Sequence, residues 1–234
     1  MGRAALSARK RSKNKGSVEV GRREKSAQKK EAILDIAVRL FLEKGYSGTS
    51  TSDVCRTAGI SKPSLYHFFK SKRHLFFSCH MRSINQQLKP FLEKASTITD
   101  PDKRLRFMVR DFTRTICRNP ELKVLIHETM TINDQYFKKI RDVWKGHYLL
   151  LKKTIAELQQ NGSISMDLNP SRAALFLLGM MTWITFWFDY GKTQKADDVA
   201  ESALRFALNG LCYKKRKLSR KNVGSSKPLP TEII

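Results

Sequence analysis

Apolar residues recur at helical spacing along most of the chain. Ala32, Ile33, Ile36, Ala37, Leu40 and Phe41 form one stripe, and Gly45, a residue suited to the left-handed cap conformation, closes it. This predicts a first helix over about 27–44. The run Ser50-Thr51-Ser52-Asp53 is a capping signal for a short second helix that stops at Gly59. Ser61 and Pro63 open another short helix to about Phe69, and Ser71 starts a long one to about Glu93. Three Asx-Pro pairs, Asp100-Pro101, Asn119-Pro120 and Asn169-Pro170, each place a capping side chain before a proline, and so predict three further starts. A stripe from Tyr136 through Trp144, Tyr148, Leu151 and Ile155 to Leu158, closed by Asn161-Gly162, predicts a helix over about 134–160. The last two helices fall near 170–190 and 196–212. No segment alternates with period two long enough for a strand, and no internal repeat is present, so the expected fold is all-α.

Charge changes this picture. The 234 residues carry 45 Lys and Arg against 21 Asp and Glu, a net +24, which favours polyanionic partners such as nucleic acid or an anionic membrane. Residues 1–30 hold 11 basic and 2 acidic side chains, and residues 213–234 hold 7 and 1. Both ends, 1–26 and 213–234, read as disordered basic tails that either solubilise the protein or track DNA. The segment Ala173 to Phe188 is too short, and too interrupted by Thr182 and Thr185, to span a bilayer, so a buried or dimer-forming helix is expected there and no membrane contact. Cys55, Cys79, Cys117 and Cys212 lie far apart, which disfavours a zinc site or a disulfide framework and implies a reduced, cytoplasmic protein.

Two short helices joined by the tight turn Ala58-Gly59-Ile60-Ser61, with a longer helix on either side, are the layout of a helix-turn-helix reader. Val54, Ala58, Ile60 and Leu65 are small or apolar where the two helices must pack. Lys62, Ser64, Tyr66 and His67 keep the second helix polar. From Ile33 to Leu75 the chain resembles the TetR family of bacterial transcription regulators. The resemblance rests on Ala37, Leu40-Phe41, Gly45-Tyr46, Thr49-Ser50-Thr51, Asp53-Val54, the run from Ala58 to Phe69 ending Leu65-Tyr66-His67-Phe68-Phe69, and Ser71-Lys72. Cys55, where Ala is usual, and Arg73, where Glu is frequent, depart from the common pattern.

The resemblance implies a reader at 27–73 and an effector and dimerisation domain at 74–212. It implies phosphate contacts for Thr51, Tyr66, His67 and Lys72, and base-edge positions for Ser52, Lys62, Pro63 and Ser64. Tyr66 has the alternative of simple packing, and Thr51 that of an N-cap. In the C-terminal half, Phe112, Ile116, Trp144, Tyr148, Met180, Trp183 and Trp187 are candidates to line an effector cavity, against the plainer reading of an ordinary bundle core. Asn119 to Glu128, the close at Gln160-Asn161-Gly162, and Leu178 to Phe188 resemble the ligand domain of family members that sense acyl-CoA thioesters. The expected function is a homodimeric, ligand-responsive DNA-binding regulator, a repressor released from a palindromic operator by a small apolar effector. Alternatives are a multidrug-type sensor or a basic architectural DNA-binding protein. Five scattered His residues, no glycine-rich phosphate loop and no carboxylate pair on one helical face argue against an enzyme, and neither a cofactor nor a metal is expected.

Overall fold

A computed structural model describes residues 2–129, 135–191 and 195–211, and every regular element among them is helical. In chain order these are α1 (Gly2–Gly48), α2 (Thr51–Ala58), α3 (Lys62–Phe68), α4 (Lys72–Ser83), a π-turn (Ile84–Leu88), α5 (Lys89–Thr97), α6 (Pro101–Arg118), α7 (Glu121–Thr129), α8 (Gln135–Gln160), α9 (Pro170–Trp187) and α10 (Ala196–Leu211). The expected tail at 213–234 and Cys212 lie outside the described residues.

The first helix, expected from about 27, starts at Gly2. The physical reason is local. No proline interrupts residues 2–48, and Ala, Arg, Lys, Glu and Gln, all good helix formers, fill much of the segment. At the other end Gly45 adopts the positive φ expected of it (φ 70, ψ 173), yet a helical turn resumes to Gly48. The Thr49 hydroxyl, buried beneath this break, lies 3.0 Å from the Leu40 carbonyl and 2.9 Å from that of Gly45.

Ile33, Leu34, Ala37 and Phe41 of α1 pack with Val54 of α2, Leu65 of α3, and Leu75, Phe76 and Cys79 of α4. Phe76 sits edge-on to Phe41 and Tyr46, with ring centroids 5.1 and 5.0 Å away. Beyond α4 the chain does not stop at Glu93 but runs helically to Thr97 through the π-turn. Pro90 explains the turn: it offers no N–H, and its ring would meet the carbonyl four residues back. The helix widens just before it, with the Lys89 N–H reaching the Ile84 carbonyl.

α6 is the axis of the C-terminal half. It buries Leu105, Met108, Val109, Phe112, Ile116 and Cys117, and packs on α8, α9 and α10. Its N-cap is Asp100 and that of α9 is Asn169, both as expected. Asn119 behaves differently. It ends α6, and its amide donates back to the Thr115 carbonyl (2.7 Å) instead of capping α7. Arg104 is buried, yet its donors are matched: Nε to Thr154 Oγ1 (2.7 Å), one Nη to the Ile98 carbonyl (2.9 Å) and the other to Glu157. A buried guanidinium is tolerable only with such matching, and here it ties α6 to α8.

Candidate nucleic-acid interface and effector domain

The second helix is opened by a reciprocal capping box. Ser50 Oγ accepts from the Asp53 N–H (3.0 Å), and the Asp53 carboxylate accepts from the Ser50 N–H (3.0 Å). These bonds to Ser50 hold the Asp53 carboxyl below its ordinary range. Ser50, not Thr51, is therefore the cap, which leaves the Thr51 side chain to other work. At the far end Gly59 takes the left-handed conformation (φ 61, ψ 35), and the Ile60 N–H closes onto the Cys55 carbonyl at 3.0 Å. Ser61 then caps α3, with Pro63 in its first turn.

The eight residues expected to meet DNA occupy the starts of α2 and α4 and the length of α3. Only Leu65 of α3 is buried; Lys62, Pro63, Tyr66 and His67 are exposed, and Ser64 is half-buried. Ser52 is exposed at the start of α2. Thr51 Oγ1 lies 3.4 Å from the Tyr66 hydroxyl, which joins the two reading helices through two polar groups that both remain partly open to solvent. Lys72, the first residue of α4, has its Nζ 3.4 Å from the Ser47 carbonyl and 4.4 Å from the centre of the Tyr46 ring. The support that Tyr46 and Ser47 give Lys72 was not foreseen; the adjacent motif positions Gly45-Tyr46 were the available signal.

The seven candidate effector residues do not come together. Phe112 is buried edge-on to Trp144 (6.1 Å, 87°), with Ile116 buried one turn along and Tyr148 half-buried one turn beyond Trp144. His147 lies among them, 5.5 Å from Phe112 and stacked at 6.0 Å on Phe91. Its Nδ1 is 3.1 Å from the Val143 carbonyl, so that nitrogen carries the hydrogen and Nε2 is left as a buried acceptor without a hydrogen bond. Burial lowers the His147 pKa. The Thr113 hydroxyl is likewise buried and unpartnered.

Met180, Trp183 and Trp187 lie elsewhere. With Ile184 and with Val199, Ala203 and Phe206 of α10, they line a surface cavity of about 550 Å³. Beyond Arg172, apolar residues occur on every side of α9. Its inner side takes Ala173, Ala174, Leu177, Met181 and Ile184, which leaves Phe176 (75% exposed) and Trp183 (61%) outside, beside Phe206 (73%). A further cleft of about 660 Å³ separates Phe41, Leu42 and Gly45 of α1 from Lys123 and His127 of α7 and from residues 186–191. Within it the His127 ring stacks on Phe186 at 3.8 Å.

A tight-turned pair of short helices with a polar outer face, braced by α1 and α4 and followed by a larger helical body, defines a helix-turn-helix DNA-binding transcriptional regulator. The chain belongs to the TetR family: residues 33–79 match the description "Bacterial regulatory proteins, tetR family", and residues 99–211 match "Tetracyclin repressor-like, C-terminal domain". Among curated relatives, it is 26% identical over 196 residues to the HTH-type transcriptional repressor KstR2 of Rhodococcus jostii (strain RHA1), covering 80% of this chain and 92% of that protein. It is 24% identical over 183 residues to the fatty acid metabolism regulator protein of Bacillus subtilis (strain 168), covering 76% and 93%. The crystal structure of AibR in complex with isovaleryl coenzyme A and operator DNA superposes with a TM-score of 0.69 at 25% identity, over 79% of this chain and 98% of that one. These relatives are regulators rather than enzymes. None of the described helices is long and apolar enough to cross a membrane.

Proposed function

We propose that the protein is a cytoplasmic repressor that binds a pseudo-palindromic operator as a homodimer and is released by an apolar acyl thioester of coenzyme A. The single observation that carries this reading is the pairing of an open, polar α3 face with an interior that holds unpartnered polar atoms, in a chain similar to a regulator solved with both isovaleryl coenzyme A and operator DNA. Residues 27–73 form the reader in this proposal, and 74–212 the effector and dimer unit. Thr51, Tyr66, His67 and Lys72 hold phosphates and fix register; Ser52, Lys62, Pro63 and Ser64 face base edges and carry specificity.

The effector site is narrowed to the interior between α6 and α8, with Phe112, Ile116, Trp144 and Tyr148 as apolar wall. A CoA thioester suits such a site, because its acyl chain satisfies the aromatic wall while its pantetheine arm supplies N–H and O–H donors for an acceptor such as His147 Nε2, and carbonyls for the Thr113 hydroxyl. Met180, Trp183 and Trp187 are assigned to the dimer face instead. A largely apolar helix side with Phe176, Trp183 and Phe206 in the open exceeds what a lone chain leaves to water, and two copies packed there make a two-fold four-helix contact.

The test is a panel of acyl-CoAs of varied chain and ring type, read first by thermal shift and then by displacement of a labelled operator. Release requires that the effector prefer the conformation with misaligned readers, so operator must weaken effector binding by the same factor that effector weakens operator binding. If no thioester raises the melting temperature or displaces DNA, and a cationic drug-like compound does both, the protein is a multidrug-type sensor.

A further inference from the structure

α4 opens on a second capping arrangement, and its chemistry differs from that of α2. Ser71 is the N-cap, its backbone extended, and its Oγ accepts the His74 N–H at 3.0 Å. His74 is the third residue of the helix, the position from which a glutamate or glutamine side chain commonly reaches back to the N-cap amide. Here an imidazole reaches back one residue further, and its Nδ1 accepts the Lys70 N–H at 3.1 Å. In α2 the matching position carries the Asp53 carboxylate. A carboxylate at 74 would set a negative charge among Lys70, Lys72 and Arg73, beside residues read as meeting phosphate. A neutral imidazole closes the turn without one.

The bond defines the state of the ring. A nitrogen that accepts carries no hydrogen, so the proton of the neutral ring sits on Nε2. A second proton can enter only at Nδ1, where it would face the Lys70 N–H, donor against donor. The surroundings disfavour it as well: desolvation first, then the charges of Lys30 on α1 and Lys70 in the turn, hold the His74 pKa below its ordinary value. Glu31 and Asp35, the carboxylates that follow Lys30 on α1, both pair with Arg82.

What the bond holds is the path from α3 to α4. Phe69 ends α3 with its N–H on the Leu65 carbonyl, and its buried ring lies 6.1 Å from that of His74, with the Lys30 ammonium 6.0 Å from its centre. Lys70 and Ser71 then carry the chain round to Lys72. Residues read as phosphate contacts flank this turn: Tyr66 and His67 lie before it and Lys72 after it. Phe69 anchors the start of the turn and Ser71 its end, and the Lys70 N–H is tied between them by His74.

We infer that His74 is a positioning residue of the DNA reader: as the neutral acceptor of the Lys70 N–H it holds the turn in the form that lets Tyr66, His67 and Lys72 meet phosphates together, and protonation of its ring releases that form. This rests on the reading of α2 and α3 as the DNA reader and adds a regulation of it by pH. Operator affinity falls as acid takes the acceptor away, although the ring itself gains a positive charge.

The experiment uses the full chain and a duplex that it selects from a randomised pool, with binding followed by fluorescence anisotropy at constant ionic strength from about pH 7.5 to about pH 5, the range in which a histidine titrates. Asn places Oδ1 as many bonds from the backbone as the histidine Nδ1 and does not titrate. His74→Asn is therefore expected to match the wild type at the upper end of the range. His74→Leu has no acceptor and is expected to bind about 3- to 10-fold more weakly there, the worth of one net hydrogen bond. Below the ordinary histidine pKa of 6.5 the wild type is expected to fall away from His74→Asn and approach His74→Leu. His67, His80 and His147 are present in all three proteins, so their titration cancels in the ratios, and melting temperatures at each pH confine the comparison to folded protein. Should His74→Leu fail to fold, the ratio of His74→Asn to wild type still decides. A ratio that stays constant across the range overturns the inference. A wild type that gains on His74→Asn in acid overturns it too, since the ring is then a phosphate contact. If the wild type selects no duplex, the reading of α2 and α3 fails and the inference with it, an outcome distinct from a selected duplex that all three bind alike.

Discussion

Lys72 caps the ring of Tyr46 with its ammonium, 4.4 Å from the centroid, while its Nζ reaches to 3.4 Å from the Ser47 carbonyl. The end of α1 therefore aims the first residue of α4, and one interaction serves both the joint between two helices and, in the proposed complex, the charge offered to DNA. Two of the three ammonium hydrogens remain for a phosphate. Lys72→Ala is expected to weaken binding to operator and scrambled duplex alike and to reduce the salt slope by about 1. Tyr46→Leu keeps the charge but loses its support, so it reduces affinity less and leaves the slope near that of the wild type. Anisotropy titrations at several KCl concentrations check both.

Lys62→Ala and Ser64→Ala act on a different quantity. Both positions belong to the outer face of α3, and each is expected to lower preference for operator over scrambled DNA by about 1–3 kcal/mol while changing the salt slope little. Competition binding with the two duplexes measures this directly. If the loss is uniform across sequences, these residues hold phosphates and not bases.

The outer face of α9 and α10 predicts the oligomeric state. Phe176→Glu and Phe206→Glu each place a charge on a side chain that is about three-quarters exposed in the single chain, so neither disturbs the core of one protomer. Each is expected to cost the dimer about 2 kcal/mol or more. Light scattering at micromolar concentration should find the wild type as a dimer and the double variant as a monomer that has lost tight operator binding.

His80 supplies a pH dependence. It is buried in α4 against Phe76, and burial pushes its pKa down to about 3. The unfolded chain takes up a proton there near pH 6.5, whereas the folded chain does not until about pH 3. Its contribution to stability is thus complete above pH 6.5 and is lost as pH falls through that window, by about 3 kcal/mol between pH 7 and pH 4. His147, lowered by burial as well, acts in the same direction. The Asp53 and Asp197 carboxyls, held low by Ser50 and Arg114 respectively, contribute below that range. Denaturant midpoints for the wild type and His80→Leu, measured from pH 7 to pH 4, should show the wild type losing about 3 kcal/mol relative to the variant as the pH drops.

What the sequence made legible was local. The limits of α2 and α3 follow from Ser50, Asp53, Gly59, Ser61 and Pro63, whose preferences depend on their own backbone and a few neighbouring atoms. Exposure of the candidate reading residues on α3 followed, because a seven-residue helix with one buried position has only one way to face outward. Features decided at a distance were not legible. Asn119 was free to cap forward or bond backward, and the packing of α6 decided for Thr115. Trp183 and Trp187 gave no sign of which side they occupy, since a helix apolar on every side has no periodicity to read, and only the arrival of α10 divides it. The basic N-terminus lacked the apolar stripe by which a helix is recognised, although nothing in it forbids one.

The rod from Lys72 to Thr97 passes without a break between the two matched regions, 33–79 and 99–211. Its π-turn already accommodates the surplus that one extra residue creates in an α-helix. The azimuth of each reader about this rod is consequently a matter of residue count. Adding or deleting one residue between Ser83 and Lys89 turns everything upstream by about 100° relative to the effector half. Chimeras that exchange readers between relatives must therefore conserve phase along this segment as well as sequence, or the two halves of the dimer will present their α3 helices to opposite sides of the groove.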